Sequence, residues 1–411
     1  MWIALQNKME ELDDFCMITP KDLEDIKDFI VNEDLSETIR NIEYHLKQQE
    51  LVELNIAVTG ESGSGKSTFV NAFRGVGDEE EGSAATGPVE TTTELTAYVH
   101  PKYETVKVWD LPGIGTPNFK ADEYLEQVEF KKFDFFIIIA SGRFRECHTQ
   151  LANEIRKMGK TFYFVRSTID ANVAAEQRKR NFDLKKTLDM IRKECENGLD
   201  FNSQRDSLNK IGFENPDVFL ISNFELGKFD WNLLQEKMEN ELQEHKRRVL
   251  LLALPNITKG INEQKKAALA KNIPKVAILA AFVATIPIPG LSVAVDLAIV
   301  QREIKVYYNT FGLDDPSLQM LCNRSGKTID EFKSLMKSPL HGGINPASIQ
   351  SLVDAGSLIV AESTVEYVVS CIPLLGTVVA GGMSYLTVSS MLRKALDDLA
   401  EDAVNVLQAT F

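Results

Sequence analysis

Cysteine is scarce: 5 among 411 residues, at Cys16, Cys147, Cys195, Cys322 and Cys371, with no CxxC pair. Such scatter excludes a zinc knuckle and a disulfide framework and fits a reducing compartment. Cys147 and His148 are neighbours, but the sequence offers them no partner at metal-ligand spacing, so they read as helix-face or surface residues. Positive charge is in deficit too. The net charge is −15 and the pI about 5.0. Broad nucleic-acid binding needs a basic face, and this balance argues against it; it does not exclude a local basic patch on a membrane-binding surface. The opening Met1-Trp2-Ile3-Ala4-Leu5 soon turns acidic and lacks a secretory pattern. With Trp2 where an acceptor glycine would stand, no N-myristoylation is expected of the chain as written, and Ala409-Thr410-Phe411 carries no prenylation cysteine. Long unbroken apolar runs are also missing. Residues 276–300 are interrupted by Pro287, Pro289, Gly290 and Asp296, and residues 372–388 by Pro373, Gly376, Gly381 and Gly382. A spanning helix needs about 20 mostly apolar residues. Buried helical hairpins are therefore expected, with peripheral membrane contact through an apolar or amphipathic helix in 276–300 or 372–407.

What is present is a complete phosphate-binding loop. Gly60-Glu61-Ser62-Gly63-Ser64-Gly65-Lys66-Ser67-Thr68 follows the apolar run Leu54-Asn55-Ile56-Ala57-Val58-Thr59. The glycines let backbone N–H groups turn inward around phosphate oxygens. Lys66 can reach the β- and γ-phosphates, and the Ser67 hydroxyl can bind Mg²⁺. The segment Phe69-Val70-Asn71-Ala72-Phe73 suits a helix whose N-terminus favours anions.

At 411 residues, 44% hydrophobic and 26% charged, the chain is a folded protein too long for one ordinary core. Thr19-Pro20 and Ser36 look like helix starts, so residues 1–50 are read as helices. From residue 51 short apolar runs alternate with amphipathic stretches. Candidate strands are 51–59, 95–100, 105–110, 133–140, 161–165 and 218–221. Strand–helix alternation predicts an α/β fold, a mostly parallel sheet covered on both faces, over residues 51–250. The acidic run Asp78-Glu79-Glu80-Glu81-Gly82 reads as a solvated loop or part of a mobile switch. Residues 251–411 read as helical. Their last segment places Val388, Met391, Leu392, Ala395, Leu396 and Leu399 on one face.

Other parts of a nucleotide site follow. Val108-Trp109-Asp110-Leu111-Pro112-Gly113-Ile114-Gly115 closes a strand. Asp110 can hold Mg²⁺ through water, and the Gly113 N–H can sense a γ-phosphate, so the following loop would order with GTP and relax with GDP. Between the two motifs, Thr86, Thr91, Thr92 and Thr93 compete to complete the Mg²⁺ shell; Thr92 ranks first and Thr86 second. Glu90 can act on the attacking water or across an interface, or be an exposed loop carboxylate. Base selection falls to Arg166-Ser167-Thr168-Ile169-Asp170. Asp170 can accept from guanine N1–H and N2–H₂, which adenine cannot supply in the same way. Against the usual Asn/Thr-Lys-x-Asp, Ser167 stands for Asn/Thr and Thr168 replaces Lys. Ile221-Ser222-Asn223 suits a loop contacting the guanine carbonyl. Ile114 occupies the place of a water-orienting Gln, which predicts slow hydrolysis or catalysis supplied elsewhere.

Together G-E-S-G-S-G-K-S-T at 60–68, A-T-G-P-V-E-T-T-T-E at 85–94, V-W-D-L-P-G-I-G at 108–115, S-G-R-F at 141–144, R-S-T-I-D and I-P-I-P-G-L-S-V-A-V-D at 286–296 resemble the immunity-related GTPases, interferon-inducible proteins of dynamin-like architecture. The resemblance implies that the N-terminal helices and residues 251–411 form one helical domain beside the GTPase domain. Keeping Lys66, the chain resembles the Gly-Lys-Ser effectors rather than the Gly-Met-Ser regulators. It implies GTP and GDP binding, homo-oligomers through GTPase domains, cooperative hydrolysis, and action on vacuoles enclosing intracellular pathogens. By the same resemblance Lys66, Ser67, Thr92, Asp110 and Gly113 contact phosphate and metal, Asp170 reads the base, and Glu90 matches a switch glutamate implicated in catalysis. The expected place is the cytoplasm and the surface of intracellular or vacuolar membranes. The alternative reading, from Ile114 and the altered base motif, is a GTP/GDP-gated regulator of related GTPases with negligible hydrolysis.

Overall fold

The computed structural model describes residues 52–87, 95–114, 120–198, 217–284, 291–341 and 379–410, with 37, 40, 42, 343, 344, 347, 348 and 351. Glu90, Thr91, Thr92 and Thr93, the 285–290 punctuation, and the N-terminal helices apart from three positions lie outside the described residues. By Cα proximity the chain divides into two compact units, Glu53–Pro255 and a unit containing Asn256–Phe411.

The first unit runs β1 (Leu54–Gly60), α1 (Lys66–Arg74), β2 (Thr96–Val99), β3 (Val106–Asp110), α2 (Ala121–Gln127), β4 (Phe135–Ala140), α3 (Glu146–Lys157), β5 (Thr161–Arg166), α4 (Ile169–Glu176), α5 (Leu184–Gly198), β6 (Val218–Leu220), α6 (Trp231–Glu241) and α7 (Glu244–Ala253). Its strands form one sheet in the order β2-β3-β1-β4-β5-β6. All neighbours are parallel except β2, which runs antiparallel to β3 with Thr96 opposite Asp110. Each expected strand is present, with ends moved by at most three residues.

Sequence explains the layering. Every residue of β4, F-F-I-I-I-A, is buried, as a strand covered on both faces requires. In β2 half-buried and exposed residues alternate, the pattern of an edge strand with one solvated face. On one face Ala57, Phe136, Ile138 and Phe164 pack with Leu125 of α2 and Leu151 and Ile155 of α3. On the other, Phe69 and Phe73 of α1 meet Trp231 of α6 at ring-centroid distances of 6.2 and 6.1 Å. Burying each such side chain contributes about 1.5–3 kcal/mol. β1 sits between β3 and β4, where the strand order reverses. In open α/β sheets ligands bind outside the carboxyl ends of the strands at that point, which is where residues 60–68 emerge.

In the second unit α8 (Lys259–Ala270), α9 (Ile273–Ala284), α10 (Leu291–Thr310), α11 (Asp315–Ser325), α12 (Ile329–Leu335) and α13 (Val379–Thr410) are helical throughout. Thr258 and Asp314 cap α8 and α11, their side chains accepting from Ile261 N and Ser317 N. The predicted stripe Val388, Met391, Leu392, Ala395, Leu396 and Leu399 is buried in α13. By length and composition the run Lys259–Ala284 could cross a bilayer. Yet Ile273, Val276, Ala277, Leu279, Ala280 and Val283 are all buried, so core packing accounts for their apolarity. The breaks predicted at 285–290 lie outside the described residues; α9 ends at Ala284 and α10 begins at Leu291.

Candidate functional site

Two glycines make the loop after β1. A Cβ on Gly60 would lie 2.1 Å from the Ile139 carbonyl oxygen of β4, so no side chain fits there. Gly65, at φ 88°, caps α1 in the left-handed region, facing Asn223 and Ser167. Between them Ser62 and Gly63 are exposed at the tip and Ser64 is buried; Thr68, inside α1, is half-buried. Lys66 is 6% exposed, and its ammonium donates to the Glu61 carbonyl at 3.1 Å, folded over the loop it serves.

The parallel register of β1 and β3 sets Val58 beside Asp110 and delivers that carboxylate, fully buried, to the start of α1. The Ser67 hydroxyl donates to Asp110 Oδ2 at 2.7 Å across 43 residues of sequence. A hydroxyl and a carboxylate converging beside a phosphate loop are hard oxygen donors of the kind Mg²⁺ takes. Just beyond, the Leu111 and Ile114 amides donate to Val58 and Gly60 carbonyls at 3.0 and 3.1 Å. Gly113 lies between these anchors, half-buried at the rim. Thr86 is exposed, while Thr92 and Glu90 lie outside the described residues, so neither is placed.

The β5 and β6 ends approach from the other side. The Ser167 hydroxyl, fully buried, donates to Ser64 O at 2.7 Å and to Ala140 O at 3.3 Å. The Asn223 amide donates to Gly65 O at 3.1 Å. Ser222 accepts from Glu225 N at 3.1 Å and shapes the turn after β6. Ser167 and Asn223 thus hold the phosphate loop from beneath. Asp170 stands half-buried in the first turn of α4. Thr168 precedes that helix at φ 58°.

Several residues of the site carried no signal in the sequence. The Tyr124 hydroxyl lies 2.9 Å from Thr59 Oγ1 and donates to Pro112 O at 3.0 Å, tying the Asp-x-Pro-Gly turn to β1. Burial raises its pKa well above the usual phenol range. Asn71 of α1 is bidentate to Ala84, donating to its carbonyl at 2.9 Å and accepting its N–H at 2.6 Å, and also donates to Asp78 at 2.8 Å. Arg74 donates to Gly82 O at 3.1 Å and to Val99 O at 3.0 Å. The acidic run at 78–82, expected as a solvated loop or part of a mobile switch, is a largely exposed loop, and these two side chains tether both its ends to α1. Only an aligned helix face could have signalled this, since Asn71 and Arg74 are three apart.

Cys147 and His148 stand in the first turn of α3, as a helix-face reading expects, but the fold brings Glu61 to them. The three groups offer donor atoms within 4.8 Å of one another. His148 Nδ1 already accepts the Arg145 N–H at 3.1 Å, closing a helix cap, and Glu61 accepts from the Arg145 guanidinium at 3.0 Å. The trio is a cap joined to the phosphate loop. Burial pushes the His148 pKa down to about 4.

The model of the interferon-inducible GTPase (IIGP) family matches residues 19–410. The chain belongs to that family. It is 36% identical over 395 residues to interferon-inducible GTPase 5 of Rattus norvegicus, covering 95% of this chain and 82% of the relative. It is likewise 36% identical to interferon-gamma-inducible GTPase 10 of Mus musculus over 394 residues, 95% of this chain and 90% of the relative. To mouse interferon-inducible GTPase 1 it is 39% identical over 296 residues, 72% and 70% of the two chains. Among solved structures, Toc33 from Arabidopsis thaliana aligns over 47% of this chain and 80% of its own, at 18% identity and a TM-score of 0.30. That likeness is too loose to add to the sheet order. This family member is a GTPase with a P-loop GTPase fold, and a guanine nucleotide is its ligand.

Proposed function

We propose that this GTPase binds GTP and GDP with Mg²⁺ at residues 60–68, assembles with itself through its GTPase domains, and hydrolyses GTP cooperatively at the surface of pathogen-containing vacuoles in cell-autonomous immunity. The observation that carries the site is the Ser67 Oγ to Asp110 Oδ2 contact of 2.7 Å beside the Lys66 loop. In this reading Ser67, Asp110 and Thr92 hold the ion, which when bound offsets charge on the phosphate oxygens. The Lys66 ammonium and the loop amides at the start of α1 stabilise the charge that grows on the transferred phosphoryl group. Gly113, anchored on either side by Leu111 and Ile114, offers its N–H to the γ-phosphate. Tyr124 keeps that turn in register with β1. Asp170 accepts from the guanine edge.

Water activation is where the chain departs from small signalling GTPases. Ile114 is buried, its amide held by Gly60, and an apolar side chain orients no water. Glu90 is assigned that step, acting within the site or across a GTPase-domain interface. The same Ile114 favours a second reading, a GTP/GDP-gated regulator of related GTPases with negligible turnover. Localisation follows the first reading: cytoplasmic, peripheral on intracellular membranes, without a spanning segment and without nucleic acid.

The test is GTP turnover per molecule by the full chain across a protein concentration series, with Lys66→Ala and Glu90→Ala. Turnover that climbs with concentration and is lost in both variants supports self-activation. Flat, low turnover with intact GTP binding sinks it and leaves the regulator.

A further inference from the structure

Thr168 is an anomaly at the base-reading turn. It takes the place of the usual Lys, and it is one of two non-glycine residues at positive φ among the described residues, at 58°. A β-branched residue disfavours that conformation and keeps it only where the surroundings impose it. The imposing group is Arg166, the last residue of β5 and only 8% exposed. Its Nη1 donates to the Ser167 carbonyl at 3.1 Å and to Thr168 Oγ1 at 3.3 Å. Its Nη2 donates to Asn172 Oδ1 at 2.9 Å, one turn into α4. Thr168 Oγ1 in turn donates to Ser141 O at 3.2 Å, beyond β4. One planar guanidinium therefore fastens the strand end, the strained turn and the first turn of the helix. Asp170 lies between the two fastened points, Thr168 and Asn172.

We infer that Arg166 is a positioning residue for base selection, holding the Ser167–Asn172 turn so that the Asp170 carboxylate meets the guanine edge without the customary lysine. The inference rests on the reading of Asp170 as the base contact. A planar fork with fixed donors suits the task, since a lysine ammonium cannot bridge Ser167, Thr168 and Asn172 in one plane. It predicts that base discrimination, and not phosphate affinity, depends on Arg166.

The experiment compares GDP with inosine diphosphate, which keeps N1–H and the phosphates but lacks the 2-amino group. Affinities are measured on the full chain. Wild type should prefer GDP by about tenfold or more, the worth of a hydrogen bond to a charged acceptor. Arg166→Met should cut that ratio to about threefold or less, GDP losing more affinity than inosine diphosphate, which gives up only its N1–H contact to Asp170. Asn172→Ala, at a half-buried position that removes only the helix anchor, should reduce the ratio in the same direction, and it decides the matter if Arg166→Met does not fold. A wild-type ratio in folded Arg166→Met, or in Asn172→Ala when the first variant cannot be purified, overturns the role of Arg166. Asp170→Ala separates the two layers: a ratio unchanged there means Asp170 does not read the base, and both the base reading and the inference fall.

Discussion

Replacing Asn71 by Leu removes the amide that fastens the loop between α1 and β2. The side chain is 1% exposed and Ala84 is 0% exposed. In the variant the Ala84 N–H and C=O lose their partners inside the protein, each costing about 1–3 kcal/mol, whereas the exposed Asp78 carboxylate turns to water at little cost. Leu is close to Asn in size, so cavity and overpacking effects are small beside that. A net loss of about 2–6 kcal/mol follows. For a unit the size of Glu53–Pro255, each kcal/mol moves Tm by about 2–4 °C, so a drop of roughly 4–24 °C is expected. The readouts are thermal unfolding of the nucleotide-free chain and hydrogen exchange at the Ala84 amide, which should lose its protection. Because the loop leads directly into residues 85–94, GTP affinity should fall more than GDP affinity. A Tm within 2 °C of wild type together with a protected Ala84 amide would refute the tether.

Tyr124→Phe leaves Thr59 Oγ1 and Pro112 O without the hydroxyl that joins them; it should cost about 1–2 kcal/mol in chemical denaturation, and an unchanged midpoint would contradict the bridge. His148 gives the pH dependence. Its folded pKa of about 4 lies below the ordinary 6.5, so its neutral form contributes stability that is fully present above pH 6.5 and lost as the pH falls from 6.5 toward 4. The loss is about 1.4 kcal/mol per pH unit and roughly 3 kcal/mol in all. His148→Gln should flatten the stability curve across that window; a curve of wild-type slope would exclude His148 as its source.

Much of this was legible in sequence because it rests on local pattern. The period-2 and unbroken apolar runs mark all six strands, and the spacing of glycines, Lys66 and Ser67 marks the loop. The stripe from Val388 to Leu399 marks a packed helix. Strand direction was less legible: Thr96–Val99 alternates like any half-exposed strand, and nothing local states that it runs against β3. The tethers were not legible at all. Asn71, Arg74 and Tyr124 act on groups that the fold brings near, and Arg166 acts on its own turn, through contacts that leave no periodicity. The pairing of Glu61 with Arg145 spans 84 residues and arises only because β1 and β4 are neighbours. The acidic run at 78–82 is the solvated loop its charge predicts, exposed at Asp78, Glu79, Glu81 and Gly82; what the charge does not signal is that Asn71 and Arg74 of α1 hold its two ends.

The measurement that tests the site most directly is the affinity of the full chain for a non-hydrolysable GTP analogue with and without Mg²⁺, in wild type and in Ser67→Ala. If Ser67 and Asp110 form the metal side of the phosphate loop, Mg²⁺ tightens binding by wild type and has little effect on Ser67→Ala. If Ser67→Ala gains as much from Mg²⁺ as wild type does, the ion is held elsewhere and the contact between Ser67 and Asp110 is only structural.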